Sequence, residues 1–145
     1  MNASSDAYFV TDNLGIPEKD ARFVHIDGVD PVTFAEGLTF RPVLGDGVLV
    51  NHVYFDPHTE APTHAHEEEQ IVVVLDGEFD FWIGDQTRTL RKGDMVVIPA
   101  WVPHGARTND SSCLEIDIFC PPRRQLLAYL QREEDSAVMQ DAREL

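Results

Sequence analysis

The sequence predicts an all-β fold closed by one short C-terminal helix. Five apolar segments rich in β-branched and aromatic residues run through the middle of the chain, turn residues separate them, and helical spacing appears only in the tail. At 145 residues the chain is long enough to bury a core without disulfides. One domain over 1–145 is expected, with its core over 38–120.

The elements follow in order. "ARFVHIDGV" (21–29) is strand-like and stands apart from the central strands. A sheet with open edges gains from pairing with a second copy, so this segment is expected to cross into a homodimer partner. "GVLVNHVYF" (47–55) stops at "DPHTEAP". "QIVVVL" (70–75) stops at Asp76-Gly77 and "EFDFWI" (78–83) at Gly84-Asp85, two dipeptides with the chemistry of hairpin turns. "DMVVIPA" (94–100) follows "KGD", and "SCLEIDIFC" (112–120) stops at Pro121-Pro122. Beyond the prolines, Leu126, Leu127, Tyr129 and Leu130 recur at helical spacing. They predict a helix over about 123–134 with a frayed end.

Alternate residues of a strand share a face. Asn51, Val53, Phe55, Val72, Val74, Phe79 and Phe81 are expected to point inward, around an apolar cavity with few polar groups. Glu115 and Asp117 share a face, and both are expected to meet solvent. Cys113 and Cys120 are an odd number of residues apart and should face opposite sides. Two unpaired thiols suit a reducing cytosol.

The net charge of −15 argues against nucleic acid and against anionic membrane surfaces as partners. No apolar run reaches the roughly 18–20 residues of a membrane span. The opening "MNASSDAYFVTD" lacks the basic and apolar regions of a signal peptide. A cytoplasmic protein is expected.

His64 and His66 sit at i and i+2, where two imidazoles on a strand share a face at the separation of two ligands to one ion. Alone, such a pair is weak, because chance pairs are common. Gln70 has the same parity and opens the next apolar run. His104 follows a bend stiffened by Pro99 and Pro103. His25 is read as structural. His52 and His58 are left open as further ligands, with solvent or a subunit contact as the ordinary fate of each.

These two stretches resemble the paired motifs of the cupin superfamily. The first is His58, His64-Ala65-His66, Gln70, then six residues to Gly77. The second is Gly93, Pro99, Trp101, His104 and Thr108, with Asn109 one place late. His58 and Trp101 stand where the motif has glycine, and Gln70 where it has glutamate. The resemblance implies a cupin jelly-roll sandwich or barrel, commonly dimeric, with one divalent metal held by His64, His66, Gln70 and His104. Fold alone does not give a reaction. The stretches "HAHEEEQIVVVLDGEFDFWIG", "IPAWVPHGARTND" and "CLEIDIFCPPRRQLL" look similar to small cupins of aromatic polyketide pathways, zinc-dependent cyclases of the resistomycin type. That likeness implies a zinc ion acting as Lewis acid on a hydrophobic, oxygenated polyketide, closing a ring by intramolecular aldol condensation with loss of water. No catalytic base is assigned, Glu115 and Asp117 being the acids considered. The alternatives are a dioxygenase of the quercetinase or diketone-cleaving kind using Fe, Ni or Mn, a keto-sugar isomerase, or a non-catalytic small-molecule binder.

Overall fold

The computed structural model describes residues 8, 9 and 15–144. Nine strands are described: β1 (Val32–Ala35), β2 (Leu38–Leu44), β3 (Leu49–Phe55), β4 (Glu60–His64), β5 (Glu69–Ile83), β6 (Gln86–Arg91), β7 (Met95–Ile98), β8 (His104–Arg107) and β9 (Cys113–Cys120). Helix α1 (Arg124–Glu144) follows. All pairings are antiparallel, in the order β1-β2-β3-β9-β5-β8-β4, with β6 and β7 also on β5. The curled sheet makes a half-barrel, as the all-β expectation requires. No helix among the described residues is long and apolar enough to cross a membrane.

Strand β5 is the hinge of the architecture. Its first half pairs with β7 and β9, and its second half with β6 and β8. The register shifts between Val74 and Asp76, so the strand bends from one layer into the other. Asp76-Gly77 is therefore not the expected hairpin. It belongs to a bulge within one 15-residue strand, because a left-handed glycine serves a bulge as well as a turn. Gly77 has φ 74°, and a Cβ there would lie 2.1 Å from the Ser112 carbonyl oxygen. Gly77→Ala is expected to cost about 3 kcal/mol, the sum of left-handed strain and overlap with backbone, seen as a lowered urea midpoint. Gly84-Asp85 does form the expected two-residue turn, between Ile83 and Gln86.

The predicted inward residues are buried, from Asn51 and Val72 at 1 % exposure to Phe81 at 6 %. Cys113 is buried, Cys120 is exposed, and both are free. Segment 21–29 departs from expectation. Ile26–Gly28 is a 3-10 turn capped by His25, whose Nδ1 accepts the Asp27 N–H at 3.2 Å. Local capping there replaces the predicted strand, and Phe23 and Val24 are left exposed. The helix is also longer than expected, running to Glu144 where about 134 was predicted, since no glycine or proline follows to stop it.

Candidate metal centre and its cavity

Strands β4 and β8 pair so that His64 lies opposite His104. Trp82 helps to hold this register. It packs where a Cβ on Gly105 would meet its ring at 2.4 Å, and its Nε1–H donates to Thr63 Oγ1 at 2.7 Å. His66 lies in the loop just beyond β4, so it reaches the cluster by loop geometry where strand alternation was expected to carry it. The ring centroids are 4.4 Å apart for His64–His104, 5.0 Å for His66–His104 and 5.7 Å for His64–His66. One nitrogen from each ring lies within 4.8 Å of the others.

The Nδ1 atoms are all engaged the same way. His64 Nδ1 lies 2.7 Å from the Pro62 carbonyl, His104 Nδ1 2.8 Å from that of Val102, and His66 Nδ1 2.9 Å from that of Glu68. A carbonyl only accepts, so each Nδ1 carries a proton and Nε2 is the ring nitrogen left for a ligand role. Burial pushes the His104 imidazole down to about 4, and burial followed by the Arg123 charge lowers His66. Both rings are neutral at neutral pH and available as ligands. His104 Nε2 is buried with no partner.

Gln70 stands beside the histidines. Its Oε1 is 3.0 Å from His66 Nε2, and its side chain also hydrogen-bonds Asp117. A carboxylate can accept only from the amide NH2, which leaves the amide oxygen toward the histidines. An unpartnered Nε2 and a carbonyl oxygen facing a lone pair are the electrostatics a cation would relieve. The donor set therefore fits a divalent metal of the kind that takes imidazole and oxygen ligands. His52 and His58 stand elsewhere. His52 pairs with Arg41 on the other face of β3 from Asn51 and Val53, and His58 Nε2 meets Asp110 at 3.2 Å. His58 (φ 56°) and Trp101 (φ 67°), the two residues that replace motif glycines, are the non-glycine residues with left-handed backbone among those described.

The centre opens on a cavity of about 380 Å³. Phe40, Phe55, Phe79, Phe81 and Phe119 give it apolar walls. Contrary to expectation, Glu115 and Asp117 also line it, Glu115 at 2 % exposure and Asp117 half-buried. Their strand carries Leu114, Ile116 and Ile118 on the outer face, which inverts the usual apolar-in, polar-out alternation. Burial, then the neighbouring Asp117, raises Glu115 well above the carboxylate range. Burial also raises Asp117, partly offset by hydrogen bonds with Glu115 and Gln70. Two close carboxyls in a dry site hold a proton between them.

The start of the helix and the residue before it border the cavity. Arg123, Gln125 and Leu126 line it, and Glu68, buried beside His66, accepts the Arg124 N–H at 3.1 Å and pairs with Arg123 at 3.6 Å. One carboxylate thus caps the helix and ties it to the histidine loop. Glu68→Ala is expected to cost about 2–3 kcal/mol in urea unfolding, from loss of the cap and of a buried ion partner.

Residues 51–119 match the cupin domain family. The H2HPP isomerase of Bacillus subtilis is 42% identical over 82 residues, 54% of this chain and 34% of that protein. The chain spans about a third of the length of the curated relatives it matches. Among solved structures, KdgF from Halomonas sp. aligns with TM-score 0.69 at 29% identity, over 72% of this chain and 99% of that one. The polyketide cyclase RemF from Streptomyces resistomycificus aligns with TM-score 0.65 at 23% identity, over 70% and 80% of the two chains. The likeness to the cyclase is one of fold.

Proposed function

Because the chain belongs to the cupin superfamily, whose members differ in reaction, we propose from its cavity that it is a metal-dependent cyclase acting on a poly-β-ketone. One observation carries this reading. Three histidines converge beside an apolar cavity, which His64 and His104 line together with the Glu115–Asp117 carboxyl pair. His64, His66, His104 and Gln70 would hold one divalent ion, zinc by first choice. When bound, such an ion supplies Lewis-acid polarisation of a ketone oxygen.

The chain's own residues do the rest. The phenylalanine walls exclude water and press a flexible polyketone into a compact fold. The Glu115–Asp117 pair, which shares one proton and keeps one charge, takes the α-proton, and the carbanion carbon bonds to a second carbonyl carbon of the same chain. The oxygen of that carbonyl gains a proton. A further α-proton and the new hydroxyl then leave together as one water. A neutral amide at Gln70, where the motif has a carboxylate, would leave a bound ion more positive, which suits charge stabilisation better than redox chemistry.

A second reading has a specific support. The same carboxyl pair could return the proton to a different carbon, giving a keto–enol isomerisation, and the 42%-identical relative is an isomerase. Incubation of the metal-loaded protein with a synthetic poly-β-ketone, followed by mass spectrometry, separates the readings. Loss of one water supports the cyclase, unchanged mass with a shifted double bond the isomerase, and oxygen uptake an Fe, Ni or Mn dioxygenase. For assembly we propose a homodimer. Met95 and Val97 are exposed beside half-buried Ile71 and Val73 on the outer sheet face, and light scattering reads the state directly.

A further inference from the structure

On the strands beside Gln70 and the histidines, two cavity-lining residues carry oxygen acceptors that have no donor. Asn51 is 1 % exposed and Glu115 2 % exposed. Asn51 Oδ1 and Glu115 Oε2 are both buried without a hydrogen-bond partner, and both residues line the cavity. They stand on neighbouring strands, where Asn51 is opposite Asp117 and Val53 opposite Glu115. The two residues are thus diagonal neighbours on one face, roughly 7–8 Å apart along the backbone. A buried acceptor without a donor destabilises the fold, so a pair of them inside a ligand-sized cavity marks a place where a ligand supplies the missing donors.

We propose that Asn51 and Glu115 form a hydroxyl-binding subsite that takes two O–H groups of a flat, apolar ring or enolised chain. Ammonium donors are disfavoured because Arg123 lines the same cavity and the histidine centre would hold a second cation. Anionic groups are disfavoured by the Glu115–Asp117 carboxyls. Aromatic walls at Phe55, Phe79 and Phe81 select a planar skeleton over a puckered sugar. Enol and phenol hydroxyls on alternate carbons of a folded polyketone meet both demands. The subsite fixes how the substrate is turned in the cavity, and hence which carbonyl reaches the histidines. This inference rests on the reading of the cavity as the substrate site.

The test is calorimetric binding of 1,3-dihydroxynaphthalene and of naphthalene to the metal-loaded full chain. The diol is expected to bind at least about tenfold tighter. Asn51→Val and Glu115→Leu, each checked by circular dichroism, are expected to remove most of that preference while naphthalene affinity stays within about twofold. The two variants are independent, so either one that folds is decisive. His66→Ala keeps the preference if the hydroxyls are read at the subsite. Equal binding of diol and naphthalene, a preference that survives in the cavity variants, or one that vanishes in His66→Ala would overturn the proposal. Tighter binding of methyl glucoside than of the diol would overturn it too. A retained diol preference with no ring closure of a poly-β-ketone would sink the cyclase reading alone.

Discussion

His66→Ala is expected to abolish metal binding and turnover and to leave the β fold intact. His66 is buried at 4 % exposure, with Nδ1 fixed by the Glu68 carbonyl and Nε2 facing Gln70 Oε1, so both ring nitrogens are engaged. Losing an outer-shell partner alone costs roughly 10–100-fold in metal affinity, so losing a ligand itself should cost more than about 100-fold. The fold should survive because its main apolar cluster, built on Val53, Phe55, Val72, Val74 and Phe79, does not include the histidines. Chelator competition reads the affinity and circular dichroism the fold. A variant that loses its β signal together with its metal would make the ion a structural one.

Glu115→Gln is expected to lower kcat about 10²–10⁴-fold with little change in metal content. That is the range a positioned proton-transfer group contributes. The exchange keeps size and hydrogen-bonding atoms but removes the group that can take and return a proton. Asp117 next to it contacts Gln70, so its replacement would disturb metal and chemistry together. Glu115 separates the two. A Glu115→Gln protein with full activity would place proton transfer elsewhere.

Much of the centre was legible in the sequence. His64, His66, Gln70 and His104 converge as their motif spacing implies, and the inward set of β3 and β5 follows from simple alternation. The mode of convergence was less legible, because His66 lies beyond the end of β4 and reaches the cluster through a loop. Glu115 and Asp117 were misread for a definite reason. In β9 the apolar side chains Leu114, Ile116 and Ile118 face outward, so a pattern that ordinarily puts acids in solvent puts these in the cavity. Strand register decides that, pairing Asp117 with Asn51 and Glu115 with Val53, and a single strand's sequence does not carry its register. Asp76-Gly77 was ambiguous in the same way, since one left-handed glycine serves a turn or a bulge. Segment 21–29 lost its predicted strand to a local cap at His25 that competes with sheet pairing.

Elemental analysis of the purified chain beside His104→Ala tests the central claim most directly. The account predicts about one divalent ion per chain, zinc foremost, and its loss from the variant. A wild-type chain that carries no stoichiometric metal and takes up none of zinc, iron, nickel or manganese at neutral pH would contradict it.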